Sequence, residues 1–123
     1  MQIMNTEESP MLQYAILTEK MQRMAHEMAR SKGFWDKYDG SVQHVICRLA
    51  LTITELGEAI EDVRTNGVEC GDTDRKGSLT EELADTVIRI LDLAGGLGLP
   101  LGSTIIQKMV FNAGRPRLHG KKA

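Results

Sequence analysis

Aromatic residues are scarce in this chain: two Phe, two Tyr and one Trp among 123 residues. A core without large rings must come from Leu, Ile, Val, Ala and Met, a set that suits helices better than sheets. No apolar run approaches the roughly 20 residues that cross a bilayer, so no membrane partner is expected. Residues 1–8 lack a basic segment followed by an apolar one, the pattern of a secretory leader. Cysteine is limited to Cys47 and Cys70, at no metal-binding spacing, which fits reduced thiols and a cytoplasmic chain better than a disulfide scaffold. Acids are missing from the end of the chain. After Asp92 there are five Lys or Arg (Lys108, Arg115, Arg117, Lys121 and Lys122), one His and no Asp or Glu. Histidine and cysteine are also missing from the immediate surroundings of the acidic clusters described below.

What is present is ordinary for one globular domain: 41% hydrophobic, 26% charged, net charge −2. Four helical segments can be read, giving an all-α fold class, a four- to five-helix bundle spanning residues 1–123. The first runs from about Pro10 to Ser31, opened by Ser9-Pro10 and stopped near Gly33. Its Tyr14, Leu17, Met21, Met24 and Met28 recur at three and four residues, and the Met stripe reads as core. The loop 33–40 carries Phe34, Trp35 and Tyr38, aromatics that either lid a core or stack on a ligand. The second helix runs from about Val42 to Asn66, capped by Ser41 and ended at Gly67. Val42, Val45, Ile46, Leu49, Ile53, Leu56, Ile60 and Val63 form its stripe, which places Glu55, Glu58 and Asp62 on the opposite side, usually a solvated face, although Leu51 in the same lane suggests that it is not fully in water. Residues 67–77 read as a loop. Ser78-Leu-Thr-Glu81 is a capping box that opens a third helix, expected to end near Ala94 at Gly95-Gly96. Leu79, Leu83, Val87, Ile90, Leu91 and Ala94, widened by Ile88 and Leu93, leave a narrow lane of Glu82, Asp85, Arg89 and Asp92. Little water is left for those acids, so they need partners, and Arg89 can neutralise part of the lane. A shorter helix from about Leu101 to Asn112 follows, and residues 114–123 read as an extended basic tail.

Two carboxylate pairs stand out, Glu55-Leu-Gly-Glu58 and Glu82-Leu-Ala-Asp85. Three residues apart on a helix, each pair shares one side, and like charges so close repel unless a cation lies between them. Two packed helices would join them into an all-oxygen pocket suited to Mg²⁺, or Mn²⁺ in its place, rather than to Zn²⁺ or Cu²⁺. Carboxylates for a metal, with basic residues for phosphates, point to metal-assisted attack of water on a phosphoanhydride.

The runs Glu-Leu-Gly-Glu-Ala-Ile-Glu-Asp (55–62) and Glu-Glu-Leu-Ala-Asp-Thr-Val-Ile-Arg-Ile-Leu-Asp (81–92) resemble the ExxE and ExxD signature of the MazG-like, all-α nucleoside triphosphate pyrophosphohydrolases. Lys32-Gly-Phe-Trp-Asp36 and the spacing Lys108, Asn112, Arg115-Pro116, His119-Gly-Lys121 are similar to the same family, over about residues 10–122. The resemblance implies Mg²⁺-dependent cleavage of a (d)NTP to (d)NMP and pyrophosphate. It implies metal ligation by Glu55, Glu58, Glu82 and Asp85, with Glu55 or Glu58 assisting the attacking water. Lys108, Asn112, Arg115 and Lys121 would contact the substrate, with Trp35 near the nucleotide or shaping its pocket. A homodimer or homotetramer is implied, its sites completed by a neighbouring subunit. Thr54 stands where several relatives carry a further acid, which leaves the number of ions open.

The alternative is a non-catalytic helical module that binds nucleotide or nucleic acid through the basic segment. The pI of 5.9 and the dispersed spacing of the basic residues argue against nucleic acid as a partner. The base and sugar preference is not written in these residues.

Overall fold

The computed structural model describes residues 9–68 and 77–122. Cys70 and most of the expected loop 67–77 lie outside them, as do residues 1–8. Among the described residues the chain is all-helical and contains no strand: α1 (Pro10–Ser31), α2 (Val42–Asn66), α3 (Leu79–Leu97) and α4 (Leu101–Ala113). The helix starts follow the capping chemistry. Ser41 Oγ accepts from the His44 amide at 3.3 Å, and Ser78 Oγ accepts from the Glu81 amide at 3.2 Å. Glu81 returns a bond one residue further back than in a standard capping box, accepting from the Gly77 amide at 3.2 Å. Ser9 precedes α1 but makes no side-chain cap, while Pro10 occupies the first turn.

α3 packs against both α1 and α2, and α4 packs on α1. Glycines set these approaches. A methyl group on Gly95 would lie 2.6 Å from the Gln22 carbonyl oxygen, and one on Gly102 would lie 2.2 Å from that of Ala15. The backbone of α1 therefore rests directly on α3 and α4. This corrects the expected end of α3. Gly95 and Gly96 are inside the helix, where they admit α1 and the Trp35 ring, and the stop falls at Gly98. Gly98 is left-handed (φ 68°), and the Leu99 amide reaches back to the Ala94 carbonyl at 2.9 Å. α4 then leaves at 116° to α3. No single described helix is long and apolar enough to cross a membrane.

The expected faces of α1 and α2 are inverted within one chain. On α2 the buried residues are Glu55, Ala59 and Asp62, whereas Val42 and Ile53 are about 70% exposed, at 74% and 69%. On α1 the buried residues are Ala15 and Gln22, and Tyr14, Leu17, Met21, Met24 and Met28 are exposed. On α1 small residues win the contacts because the close backbone approach at Gly95 and Gly102 leaves no room for Met or Leu. α3 is mixed: Leu91 and Ala94 are buried with Glu82 and Thr86, but Leu83, Val87, Ile88 and Ile90 remain largely exposed.

The tail is not extended throughout. Arg117–Gly120 form a tight turn with Leu118 (φ 56°) and His119 (φ 53°) in the left-handed region. His119 N–H donates to the Pro116 carbonyl and Lys121 N–H to that of Leu118, both at 2.8 Å.

Candidate metal and anion site

Packing of α2 on α3 brings acids from both sequence pairs together. One carboxylate oxygen each from Glu55, Glu82 and Asp85 lies within 4.8 Å of the other two. Glu82 and Asp85 are a turn apart on α3, and Glu55 faces them from the buried side of α2. Glu58 is exposed but interacts with Glu82 closely enough to perturb its ionisation. Glu82 is 7% exposed, and its Oε2 is buried with no hydrogen-bond partner. An orphaned buried acceptor of this kind costs about 1–3 kcal/mol or more unless a donor or cation reaches it.

The ionisation of the three acids is pulled apart by these surroundings. Burial, then the neighbouring carboxyls of Glu58 and Glu55, raise Glu82 from 4.5 to about 7. Burial and the charges of Glu55 and Glu81 raise Asp85, with Arg89 opposing. Glu55 goes the other way, because Arg89 Nε donates to its Oε1 at 2.7 Å and outweighs the effect of burial. Arg89 thus pairs across to α2. The donor set is all oxygen, contains a buried acceptor with no protein donor, and concentrates negative charge. It fits a hard divalent cation, with Glu55, Glu82 and Asp85 as ligands and Glu58 beside them.

The cluster opens into a cleft of about 860 Å³ between α1 and α2, over α3. Met21, Met24 and Met28 line it from α1, and Leu51, Ile88 and Leu91 add apolar wall from α2 and α3. Glu55, Asp85 and Arg89 lie at the cluster end. Lys32, Lys37, His44 and Arg48 also line the cleft, together with Phe34 and Tyr38. From His44 to Glu55 is about 16 Å along α2, so the cleft runs from His44 past Arg48 to the carboxylates, where Arg89 is the basic group. Lys37, His44 and Arg48 were not singled out from the sequence. For His44 and Arg48 the signal was there: positions 44, 48, 55 and 62 fall on one side of an α-helix, a polar lane shared with the acids, whereas Lys37 lies in the turn before α2 and had none.

Trp35 is buried and is not among the residues lining this cleft. Its indole N–H donates to Asp92 Oδ1 at 2.8 Å, and its ring lies under the Arg48 guanidinium at 3.7 Å. The same Asp92 oxygen stands 3.1 Å from His26 Nδ1, and His26 and Tyr38 contact the indole edge to face. Asp92 Oδ1 is thereby committed to Trp35 and His26, and Asp92 does not join the carboxylate cluster. Trp35 shapes the wall from behind, holding Arg48 and Tyr38.

The expected substrate-binding residues of the C-terminal segment are elsewhere. Lys108 and Arg115 flank the Phe111 ring at 4.9 and 5.8 Å, and Asn112 Oδ1 is buried without a hydrogen-bond partner. Lys121 is exposed beyond the tail turn. None of the four lines the cleft, and α4, which carries Lys108 and Asn112, packs on α1.

No family model matches the chain, and no curated protein or solved structure matches it either.

Proposed function

We propose that this protein is a divalent-metal-dependent nucleoside triphosphate pyrophosphohydrolase of the MazG-like, all-α kind. The observation that carries the reading is Glu82 Oε2, a buried acceptor without a donor inside a three-carboxylate cluster at the mouth of a part-basic, part-apolar cleft. Glu55, Glu82 and Asp85 would hold Mg²⁺ or Mn²⁺, with Glu58 adjoining. Such an ion neutralises phosphate oxygens and favours attack by water. The chain's own groups do the rest. Glu55 or Glu58 accepts the proton of the attacking water, whose oxygen bonds to the α-phosphorus. The bond from that phosphorus to the bridging oxygen breaks, and pyrophosphate leaves. Arg48, Lys32 and Lys37 supply positive charge along the cleft, and the Met-rich wall accommodates the apolar faces of a base and sugar.

Lys108, Asn112, Arg115 and Lys121 fit this reading only through assembly, since a second copy must bring them to the cleft. The exposed rows argue for one. Ile46, Leu49, Ile53, Leu56 and Ile60 on α2, with Leu83, Val87 and Ile90 on α3, leave apolar surface uncovered while the buried apolar residues are mainly small. Full burial of such a side chain is worth about 1.5–3 kcal/mol, and these are about half exposed, so covering the rows offers an assembly roughly half that for each one. We therefore propose a homodimer or homotetramer.

The test is a panel of common and modified (d)NTPs incubated with the purified protein and Mg²⁺, with products separated. Monophosphate and pyrophosphate should appear, EDTA should stop their formation, and Glu58→Ala and Asp85→Ala should remove turnover while leaving helical circular dichroism unchanged. Background hydrolysis across the panel would overturn the proposal. Nucleotide binding that survives EDTA without turnover would favour a non-catalytic binding module instead.

A further inference from the structure

Arg89 brings a positive charge to carboxylates that, on the reading above, hold a metal ion. Its Nε lies 2.7 Å from Glu55 Oε1, and it stands one turn beyond Asp85 on α3. A single ion pair of this kind fits two roles. Arg89 is either a fixed support that orients Glu55, or a counter-cation that competes for it. Three features of the surroundings favour competition. The Arg89 side chain is 41% exposed, whereas that of Glu55 is 11% exposed, so the guanidinium is the partner free to move. A second small cavity of about 20 Å³ adjoins it, walled by Arg48, Leu51, Asp92 and Leu93. Asp92, three residues along the same helix, offers an alternative carboxylate: its Oδ1 is taken by Trp35 and His26, while Oδ2 has only a long ion pair with Arg48 Nη1, at 3.8 Å beyond a hydrogen bond. The single charge of Arg89 also does not serve the whole cluster, since Glu82 Oε2 stays without a partner beside it.

We propose that Arg89 is a tethered counter-cation that yields Glu55 to a divalent ion and swings one turn along α3 to Asp92. The move carries the state of the carboxylate cluster to the Asp92–Trp35 end of the cleft, where a second guanidinium then stands beside Arg48. This inference rests on the divalent-cation reading of Glu55, Glu82 and Asp85.

The two roles predict opposite signs. Removing a competitor strengthens metal binding, whereas removing a support weakens it. Titrations use Mg²⁺ alone, on wild type, Arg89→Met, Arg89→Lys and Glu82→Gln, followed by calorimetry and by NMR. Arg89→Met should bind Mg²⁺ about two- to fivefold more tightly than wild type, the range expected for losing one part-exposed ion pair. Arg89→Lys should return the affinity toward wild type. The chain has one Trp, so its indole N–H gives a single resonance next to Asp92. Mg²⁺ should shift that resonance in wild type and leave it in place in Arg89→Met. The Arg89 Nε–H resonance of wild type should move on Mg²⁺ addition, a readout that needs no variant to fold. Equal or weaker Mg²⁺ binding by Arg89→Met, or an Nε–H resonance unmoved at saturation, overturns the proposal while the metal reading stands. Absence of Mg²⁺ binding by wild type overturns both. Wild-type binding that Glu82→Gln abolishes, with the Arg89 resonance displaced, supports both.

Discussion

Replacing Glu82 by Gln keeps the size of the side chain and removes its charge, which isolates the electrostatic cost of the cluster. Burial and the adjacent Glu58 and Glu55 carboxyls lift Glu82 from 4.5 to about 7. At about 1.4 kcal/mol per pH unit, holding Glu82 ionised costs the folded chain about 3 kcal/mol at full value. Glu58 is exposed and can swing aside, so roughly 1–2 kcal/mol is the expected remainder. The folded value lies above the unfolded one, so between pH 4.5 and about 7 the folded chain keeps a proton that the unfolded chain has lost. Stability is therefore full below 4.5, falls as pH rises through that window, and is flat above it. In EDTA at pH 8, Glu82→Gln should be more stable than wild type by that 1–2 kcal/mol, roughly 3–6 °C in Tm for each kcal/mol. Near pH 4.5 the two should converge. Asp85, also raised, leaves a weaker slope of the same sign in both proteins. Urea unfolding followed by circular dichroism from pH 4.5 to 8.5 measures this directly. Millimolar Mg²⁺ at pH 8 should then stabilise wild type and have little effect on Glu82→Gln, because only the former offers the ion a third carboxylate. A Glu82→Gln protein less stable than wild type at pH 8 in EDTA, or parallel pH profiles, would refute the reasoning.

Gly102→Ala should destabilise by about 1–3 kcal/mol, because its new methyl meets the Ala15 carbonyl at 2.2 Å, whereas Gly57→Ala, with nothing within 4 Å, should stabilise by about 0.5–1 kcal/mol; thermal melts of the pair separate backbone approach from helix propensity. Asp92→Asn removes the charged acceptor shared by Trp35, His26 and Arg48 and should cost about 1.5–3 kcal/mol, with the Trp emission moving to longer wavelength. Ile53→Glu with Ile60→Glu changes two outward-facing positions and should leave helicity intact while light scattering reports the monomer; an unchanged mass would move the interface off this row of α2.

Helix positions were legible because their signals are local. Ser41, Ser78 and Pro10 announce starts, and the helices they open run for about five to seven turns. The end of α3 was not, because Gly95-Gly96 looks like a stop until α1 and Trp35 are seen lying against it. A glycine pair ends a helix when solvent surrounds it and continues one when another backbone must come close, and nothing within α3 itself distinguishes these cases.

The inversion of α2 has a deeper cause. Hydrophobic periodicity identifies an amphipathic helix and assumes that its apolar side meets the rest of its own chain. Here the polar lane of α2, from His44 and Arg48 through Glu55 to Asp62, turns toward the cleft and α3, and the aliphatic row faces outward. A charged lane turned inward is stable only where it is paired or solvated, as Arg89 does for Glu55 and the cleft does for Arg48. An aliphatic row turned outward is stable only where something covers it. Both conditions are met at once if α2 is a wall between two compartments, a ligand cleft on one side and another copy of the chain on the other. The stripe was legible as apolar but not as outward-facing, because the periodicity of α2 says nothing about which side α3 takes. The acidic spacing was legible because three and four residues on a helix share a side whatever lies behind it, and packing of α2 on α3 then brings Glu55, Glu82 and Asp85 together.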